Sequence, residues 1–303
     1  IECYNVFMFN LFSKTNRVVG LHFAGRYVRF VEMLKSGGED RITAYGEATS
    51  EKNIFEGGDI ADPVFLVSAL RDIKKEIRTN DCIVSLPPEQ TRFLRLTLHH
   101  LKSGRAKHDI SAFLQSKGVM TFDEEILCFE LIGESSVESQ YSVILVGRKL
   151  FREYQEIFRA LHFKVKKFLI PGQALISSCV PRDSQTSFLV LSAEEEAAGL
   201  ALASAADPAI FYHGDGANHN IISILNRTHI EWYDEKKEKI HHTLVAGARG
   251  KDVAFLDYVA RETRIPITRA NVFVNLSLDH QKVPIIPKDD SGKYAVAIGL
   301  AIS

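Results

Sequence analysis

Two short hairpins hold the residues whose types and spacing decide what chemistry this 303-residue chain could perform. A strand–turn–strand hairpin cradles phosphate when its turn offers glycine N–H groups and small hydroxyls, and hydrolysis further needs carboxylates that position Mg²⁺ and water. Residues 17–33 read as such a hairpin on an apolar frame of Val18, Val19, Leu21, Phe23, Val28, Phe30 and Val31. Its turn region offers His22, Ala24, Gly25, Arg26 and Tyr27, which is one glycine with no small hydroxyl and no acid. His22 is expected as a packed or surface histidine. A second hairpin, 189–199, places Glu194, Glu195 and Glu196 in succession at its turn. Carboxylates facing a triphosphate repel it, and one like-charge pair at 4 Å costs about 4 kcal/mol at an effective dielectric of 20.

Other chemistry finds no support. The histidines include His99-His100 and His241-His242, but no H-E-x-x-H or C-x-x-C accompanies them, and adjacent strand residues point to opposite faces. Neither G-x-S-x-G nor a Walker-A pattern occurs. Cys3, Cys82, Cys128 and Cys179 lie far apart, which predicts reduced core thiols. A formal net charge of −1 gives no electrostatic reason for nucleic acid or an anionic membrane. No apolar run reaches the ~18 residues of a spanning helix. We expect no metal, no cofactor and no nucleic-acid partner. Residues 1–16 are apolar at their start without a basic region ahead of it, which argues against a signal peptide, and a frayed or partly packed terminus is expected.

These hairpins must be positioned by a larger frame. The length predicts about two domains, and 46% apolar residues can fill a large core. Strands are predicted at 17–23, 27–34 and 41–49, with Gly37-Gly38 turning the second into the third. Asp62-Pro63 opens a helix with the stripe Leu66, Leu70, Ile73 and Ile77. A buried strand at 82–86 ends at Pro87-Pro88. An inserted α+β subdomain follows, with strand 91–98, helix 107–117, strands 125–132 and 141–147, and helix 149–161, whose inward stripe is Leu150, Tyr154, Ile157, Phe158 and Leu161. Strand 163–170 and a helix opening at Pro171-Gly172 return to the first unit. Strands at 186–192, 198–205 and 209–213 come next, then helix 219–235, a strand near 240–246 and helix 251–263. A short strand within 263–268 and an Ala/Gly-rich helix at 294–302 close the order. Three strands, a helix and a strand therefore occur twice, which predicts an α/β chain built from a duplicated ribonuclease-H-like half.

With this order, four phrases resemble the type IV pilus assembly PilM family, actin-like relatives of the division protein FtsA. Phe9-Asn-Leu-Phe12 is similar to that family's N-terminal peptide, and Gly58-Asp-Ile-Ala-Asp62 to its G-x-I-x-D. The phrase Phe158-Arg-Ala-Leu-His-Phe-Lys-Val165 resembles its L-x-x-A-G-L-x-V, and Tyr294-Ala-Val-Ala-Ile-Gly-Leu-Ala301 its Y-A-V-A-x-G-L-A. The resemblance covers nearly the whole chain from Met8. It implies an actin-like (ASKHA) fold with an N-terminal segment 1–16, a first ribonuclease-H-like domain 17–86 plus 165–183, an inserted subdomain 87–164 and a second ribonuclease-H-like domain 184–303. The lid of the second half is expected to shrink to the helix around 221–237.

The resemblance also supplies templates for the hairpins. The first reads G-I-D-I-G-S-S-S-V-K in actin-like ATPases, which sets His22 at the acid, Ala24 at the turn glycine, and Gly25, Arg26 and Tyr27 at the hydroxyls. The second reads L-V-D-I-G-A-S-T-T-D, which sets Ser192 at the acid and Glu194, Glu195 and Glu196 in the cradle. The adenosine turn L-L-T-G-G-G-A corresponds to 243–248, which keeps Gly247. We expect these positions to be remnants of a degenerate nucleotide site, and the chain to be a pseudo-ATPase. The implied role is a cytoplasmic scaffold, peripheral to the inner membrane, that binds the cytoplasmic peptide of a PilN-like inner-membrane protein and links it to pilus motor components. Membrane contact would come only through that partner. Candidate groove residues are Arg92, Phe93, Leu94 and Arg95 on the insert's first strand and Lys164, Lys166 and Lys167 on the returning strand. Two alternatives stay open: an ATP-binding ATPase of the same fold, and a GspL-like platform domain of type II secretion.

Overall fold

The computed structural model describes residues 17–36, 39–56, 59–88, 91–99, 105–121, 124–204, 208–276 and 286–303. The N-terminal segment 1–16, with its Phe9–Phe12 phrase, and the glycine pairs 37–38 and 57–58 lie outside the described residues.

Strands β1 (Arg17–Ala24) and β2 (Tyr27–Ser36) form an antiparallel hairpin paired from Arg17↔Leu34 to Ala24↔Tyr27. Its tight turn is Gly25-Arg26, and Gly25 sits at φ +56°, a conformation in which a side chain is strained. Strand β3 (Glu39–Thr49) extends the hairpin, and the two-residue strands β4 (Phe55–Glu56) and β5 (Asp59–Ile60) follow. Helix α1 (Pro63–Glu76) starts where Asp62 accepts a hydrogen bond from the Phe65 N–H and Pro63 pre-sets the first turn. Its buried stripe, Leu66, Leu70 and Ile73, carries the chain across to β6 (Asp81–Ser85), which runs parallel to β1.

The stretch between β6 and the return strand folds as β7 (Thr91–His99), α2 (Ala106–Ser116), β8 (Glu125–Glu134), β9 (Glu138–Gly147) and α3 (Arg148–Ala160). Its strands make a sheet of their own, in the order β7-β9-β8. Alternation along β7 sends Leu94, Leu96 and Leu98 to a small core with Ile110, Leu114 and Val143. Helix α3 buries Leu150, Phe151, Tyr154 and Phe158 against the first sheet, where Phe23 of β1 meets Tyr154 edge-to-face at 5.7 Å. That contact is why the hairpin needs its apolar frame. Strand β10 (Lys164–Leu169) completes a five-stranded sheet in the order β10-β6-β1-β2-β3, and α4 (Pro171–Cys179) follows.

The second half repeats the plan. Strands β11 (Phe188–Ala193), β12 (Ala197–Ala203) and β13 (Pro208–Asp215) form an antiparallel meander. Helix α5 (Asn218–Lys236) leads to β14 (His242–Ala246), parallel to β11 as β6 is to β1. After α6 (Val253–Thr263), β15 (Ile267–Arg269) adds the outer strand, and the sheet order is β13-β12-β11-β14-β15.

Helix α7 (Ala295–Ile302) is buried along its whole length. Together with α4 it fills one core to which Val31, Met33 and Ile83 come from the first sheet and Val190, Ala201 and Ala246 from the second. The approach is too close for side chains at two points. A Cβ on Gly20 would fall 2.0 Å from the Ala297 carbonyl oxygen, and one on Gly299 would fall 1.8 Å from that of Ala174. The Ala/Gly-rich sequence of α7 is therefore a packing requirement. No helix among the described residues is long and apolar enough to cross a membrane.

Candidate functional site

The two hairpin turns face each other across the space between the halves, and two of the three glutamates predicted to repel a ligand are answered by arginines. Arg29, two residues into β2, is 1% exposed. Its Nε donates to Glu47 Oε2 at 2.5 Å, and its Nη1 donates to Glu194 Oε1 at 2.9 Å and to the Lys293 carbonyl oxygen at 3.0 Å. Lys293 returns to the same acid, 3.5 Å from Glu47 Oε1. Burial penalises the Arg29 charge, but Glu194 and Glu47 outweigh that penalty and hold the guanidinium protonated beyond its ordinary range. A second, exposed tie runs from Arg26 Nη2 to Glu195 Oε2 at 3.3 Å, with the Tyr27 hydroxyl donating to the same oxygen at 3.4 Å. Charged side chains of this chain thus join β2 to the β11–β12 turn.

Beside this bridge lies a cavity of about 520 Å³, lined from both halves. Phe23, Phe55, Phe93 and Leu200 give it apolar walls, while His22, Glu194 and Glu196 supply polar ones. His22 is 6% exposed. Its Nδ1 lies 3.0 Å from Ser85 Oγ, and the same oxygen accepts from the Phe23 N–H at 3.2 Å. Burial first, then the Arg29 guanidinium and His213, pull the His22 imidazole down to about 3, so it is neutral at neutral pH. Glu194 is 8% exposed and its Oε2 has no hydrogen-bond partner among the described residues.

The turn at Gly247 is filled by backbone. Gly247 sits at φ +85°, and a Cβ there would lie 2.3 Å from the Ala193 carbonyl oxygen. Its N–H donates to the Gly292 carbonyl at 2.9 Å. Next to it Arg249 donates to the Gly216 carbonyl at 3.1 Å and to Asn218 Oδ1 at 2.7 Å, with its guanidinium 3.7 Å above the Phe255 ring. Arg29, Glu47 and Arg249 were not among the residues singled out from sequence. The available signal was Arg29, a charged residue between apolar neighbours of β2 and opposite in sign to the three successive glutamates.

The predicted groove residues scatter. Phe93 lines the cavity, and none of the other six does. Arg92 donates to the Val119 carbonyl and to Glu125 within the insert, while Leu94 joins the insert's own core. Arg95 is half-buried and feels Glu235 at the end of α5. Lys164, Lys166 and Lys167 are exposed on β10, at the edge of the first sheet, where Lys166 pairs with Asp81 at 3.0 Å. Of the thiols, Cys82 and Cys179 are buried, and burial raises both, Cys179 to about 12. Among the described residues no group of His, Cys, Asp and Glu could hold a metal ion.

The architecture defines an actin-like fold, and solved structures agree. A protein with actin-like ATPase fold and unknown function from Bacteroides thetaiotaomicron matches at TM-score 0.51 and 9% identity over 86% of this chain and 94% of that one. A chain of the PilM–PilN type IV pilus biogenesis complex matches at TM-score 0.80 and 13% identity, covering 94% of this chain and 97% of its own length. The cytoplasmic domain of EpsL, an inner-membrane component of the type II secretion system of Vibrio cholerae, matches at TM-score 0.52 and 12% identity over 76% and 82%. At these identities the likeness is one of fold. No family model and no curated protein matches the sequence.

Proposed function

We propose that this chain is an actin-fold adaptor of a type IV pilus-like or secretion machine, working without nucleotide hydrolysis. The observation that carries the reading is Arg29. Where an actin-like ATPase would hold a metal–nucleotide charge between its halves, this chain holds its own guanidinium against Glu194 and Glu47. Arg29 is committed to these acids without a phosphate, and a triphosphate entering the turns would meet Glu194, Glu195 and Glu196. The fold shared with a chain of the PilM–PilN complex supports the pilus assignment, and the EpsL likeness supports the wider secretion class.

In this reading the partner is the cytoplasmic peptide of a PilN-like inner-membrane protein, and the chain is cytoplasmic and reaches the membrane through that partner. The domain division is 17–86 with 165–183, 87–164, and 184–303. The peptide docks along the open edge of β7, which pairs only with β9 among the described strands, and backbone pairing supplies the affinity. A contact of this size is moderately tight, and membrane tethering of the partner compensates by raising its local concentration. Calorimetry with ATP and Mg²⁺ at millimolar concentration is expected to give no saturable heat. A pull-down with the cytoplasmic tail of the membrane protein encoded beside this chain should succeed and be lost on deletion of residues 87–164 in a variant that still folds. Micromolar ATP binding, or tail binding that survives the deletion, refutes the reading.

A further inference from the structure

We propose that the open edge of β10 is a docking site for an acidic, extended segment of a partner protein, whose carboxylates sit among Lys164, Lys167, Lys35 and Arg182. The surface belongs to the first sheet and the α4–β11 connection. The proposal therefore goes beyond the adaptor reading and stands whether or not a tail docks at β7.

The backbone makes the first argument. Strand β10 ends the first sheet and pairs only with β6 among the described strands, which leaves a row of backbone donors and acceptors for one more strand. A β-bulge falls between Val165 and Lys167. Lys164 is in register with Asp81 and Lys167 with Ile83, two residues further along β6. Both lysines therefore stand on the face of the sheet to which Ile83 belongs, the face that α4 and α7 cover, and Lys166 is the extra residue. Lys166 turns to Asp81 at 3.0 Å, whereas Lys164 and Lys167 are exposed and form no ion pair among the described residues.

Cations from other elements make the second argument. Lysines and a bulge on an edge strand also keep neutral strands from pairing with it, but that protection needs no charges from elsewhere in the fold. Lys35, at the end of β2, shares a face with Val31 and Met33 and donates to the Ile302 carbonyl at the end of α7, at 2.9 Å. Burial lowers its ammonium first; Asp40 acts the other way, and the charges of Arg182 and Lys167 lower it further. Three cations, from β2, β10 and the α4–β11 connection, thus lie close enough to repel one another. Arg182 is exposed and, like Lys35, forms no ion pair among the described residues. It lines a hollow of about 400 Å³ together with Ser184, Thr186 and Ile302, the residue whose carbonyl holds Lys35.

An acidic strand answers both observations at once. Its backbone completes the edge, and its side chains at alternate positions fall on one face, where Glu or Asp meets Lys164 and Lys167. The same carboxylates relieve the repulsion that Lys167 shares with Lys35 and Arg182. A neutral strand gains the backbone bonds and leaves the repulsion in place, and a basic strand adds to it, so charge selects the partner. A lipid headgroup answers the charges but leaves the backbone edge unused, which favours the peptide.

The test is fluorescence anisotropy on the full chain with a rhodamine-labelled strand peptide, Thr-Glu-Val-Glu-Val-Glu-Thr. Its comparators are the analogue with Gln for every Glu and the acidic peptide N-methylated at alternate residues. The acidic peptide is expected to bind saturably, and both comparators about tenfold more weakly or worse. Raising salt from about 50 mM to about 300 mM should weaken the acidic peptide. Lys164→Glu combined with Lys167→Glu, both on exposed residues, should weaken it about tenfold, and Arg182→Glu should weaken it in the same direction. Lys75→Glu, on the exposed face of α1, should leave it unchanged. Equal affinity for the Gln analogue overturns the charge argument, and equal affinity for the N-methylated peptide overturns docking at the edge. Absence of saturable peptide binding overturns the proposal. If phosphatidylserine vesicles then bind the wild type and not the lysine double variant, the face belongs to a membrane instead.

Discussion

Arg29→Met is the perturbation most diagnostic of how the two halves are held together. Methionine approximates the arginine stem in length and removes the charge and all three donated hydrogen bonds. Glu47 keeps Lys293 at 3.5 Å, but Glu194 loses its ion pair, and its second oxygen already has no hydrogen-bond partner among the described residues. The side chains of Arg29 and Glu194 are 2% and 11% exposed, so solvent screens little of the effect. Removing one member of a buried pair typically costs about 3–5 kcal/mol, because the remaining charge stays desolvated. The exposed Arg26–Glu195 pair, at 37% and 61%, sets the contrast. Its loss in Arg26→Ala should move the unfolding midpoint far less, because solvent screens an exposed pair. Urea unfolding followed by Trp232 fluorescence, a probe buried in the second half, measures both. Adding Glu194→Gln to Arg29→Met should recover part of the loss, since it removes the stranded charge, and the double-mutant cycle gives the coupling. If Arg29→Met costs less than about 1 kcal/mol, or no more than Arg26→Ala, the buried bridge is not what holds the cleft.

The His22 environment makes stability depend on acid. Its folded value, about 3, lies below its unfolded 6.5, so between these limits the unfolded chain binds a proton that the folded chain refuses, and stability falls as pH falls. From pH 7.5 to 5.0 this one group should remove about 2 kcal/mol, and His22→Gln should abolish that increment in paired denaturant titrations; an unaltered pH slope counts against the assignment. Gly299→Ala should cost about 1–3 kcal/mol or more, because the methyl meets the Ala174 carbonyl, and a thermal midpoint within a degree of wild type would contradict the close approach of α4 and α7.

Much of the fold was legible because its signals are periodic. The alternation in β1 and β2, the Asp62-Pro63 start of α1 and the α3 stripe each state one element and its buried face. The repeated order stated the duplication. The site was less legible, because it depends on which side chains meet across the halves. Glu194 carried its sign in the sequence, but its partner Arg29 is 165 residues away and local pattern has no term for that distance. The groove residues 92–95 illustrate a different limit. Consecutive strand residues alternate faces, so Phe93 reaches the cavity while Leu94 enters the insert's core. The three successive glutamates also part company, since backbone at the end of β11 buries Glu194 and leaves Glu195 and Glu196 exposed.

The position of α7 has a consequence for how the chain is born. The inner face of the first sheet, with Val31 and Met33, is covered by a helix that lies more than two hundred residues further along the chain. At synthesis rates of 5–20 residues per second, roughly ten to fifty seconds separate the emergence of that face from the emergence of its cover. During that interval the nascent first sheet presents an apolar surface with no native partner. A ribosome-bound chain stalled before residue 295 should accordingly hold general chaperones, and should release them once α7 clears the exit tunnel.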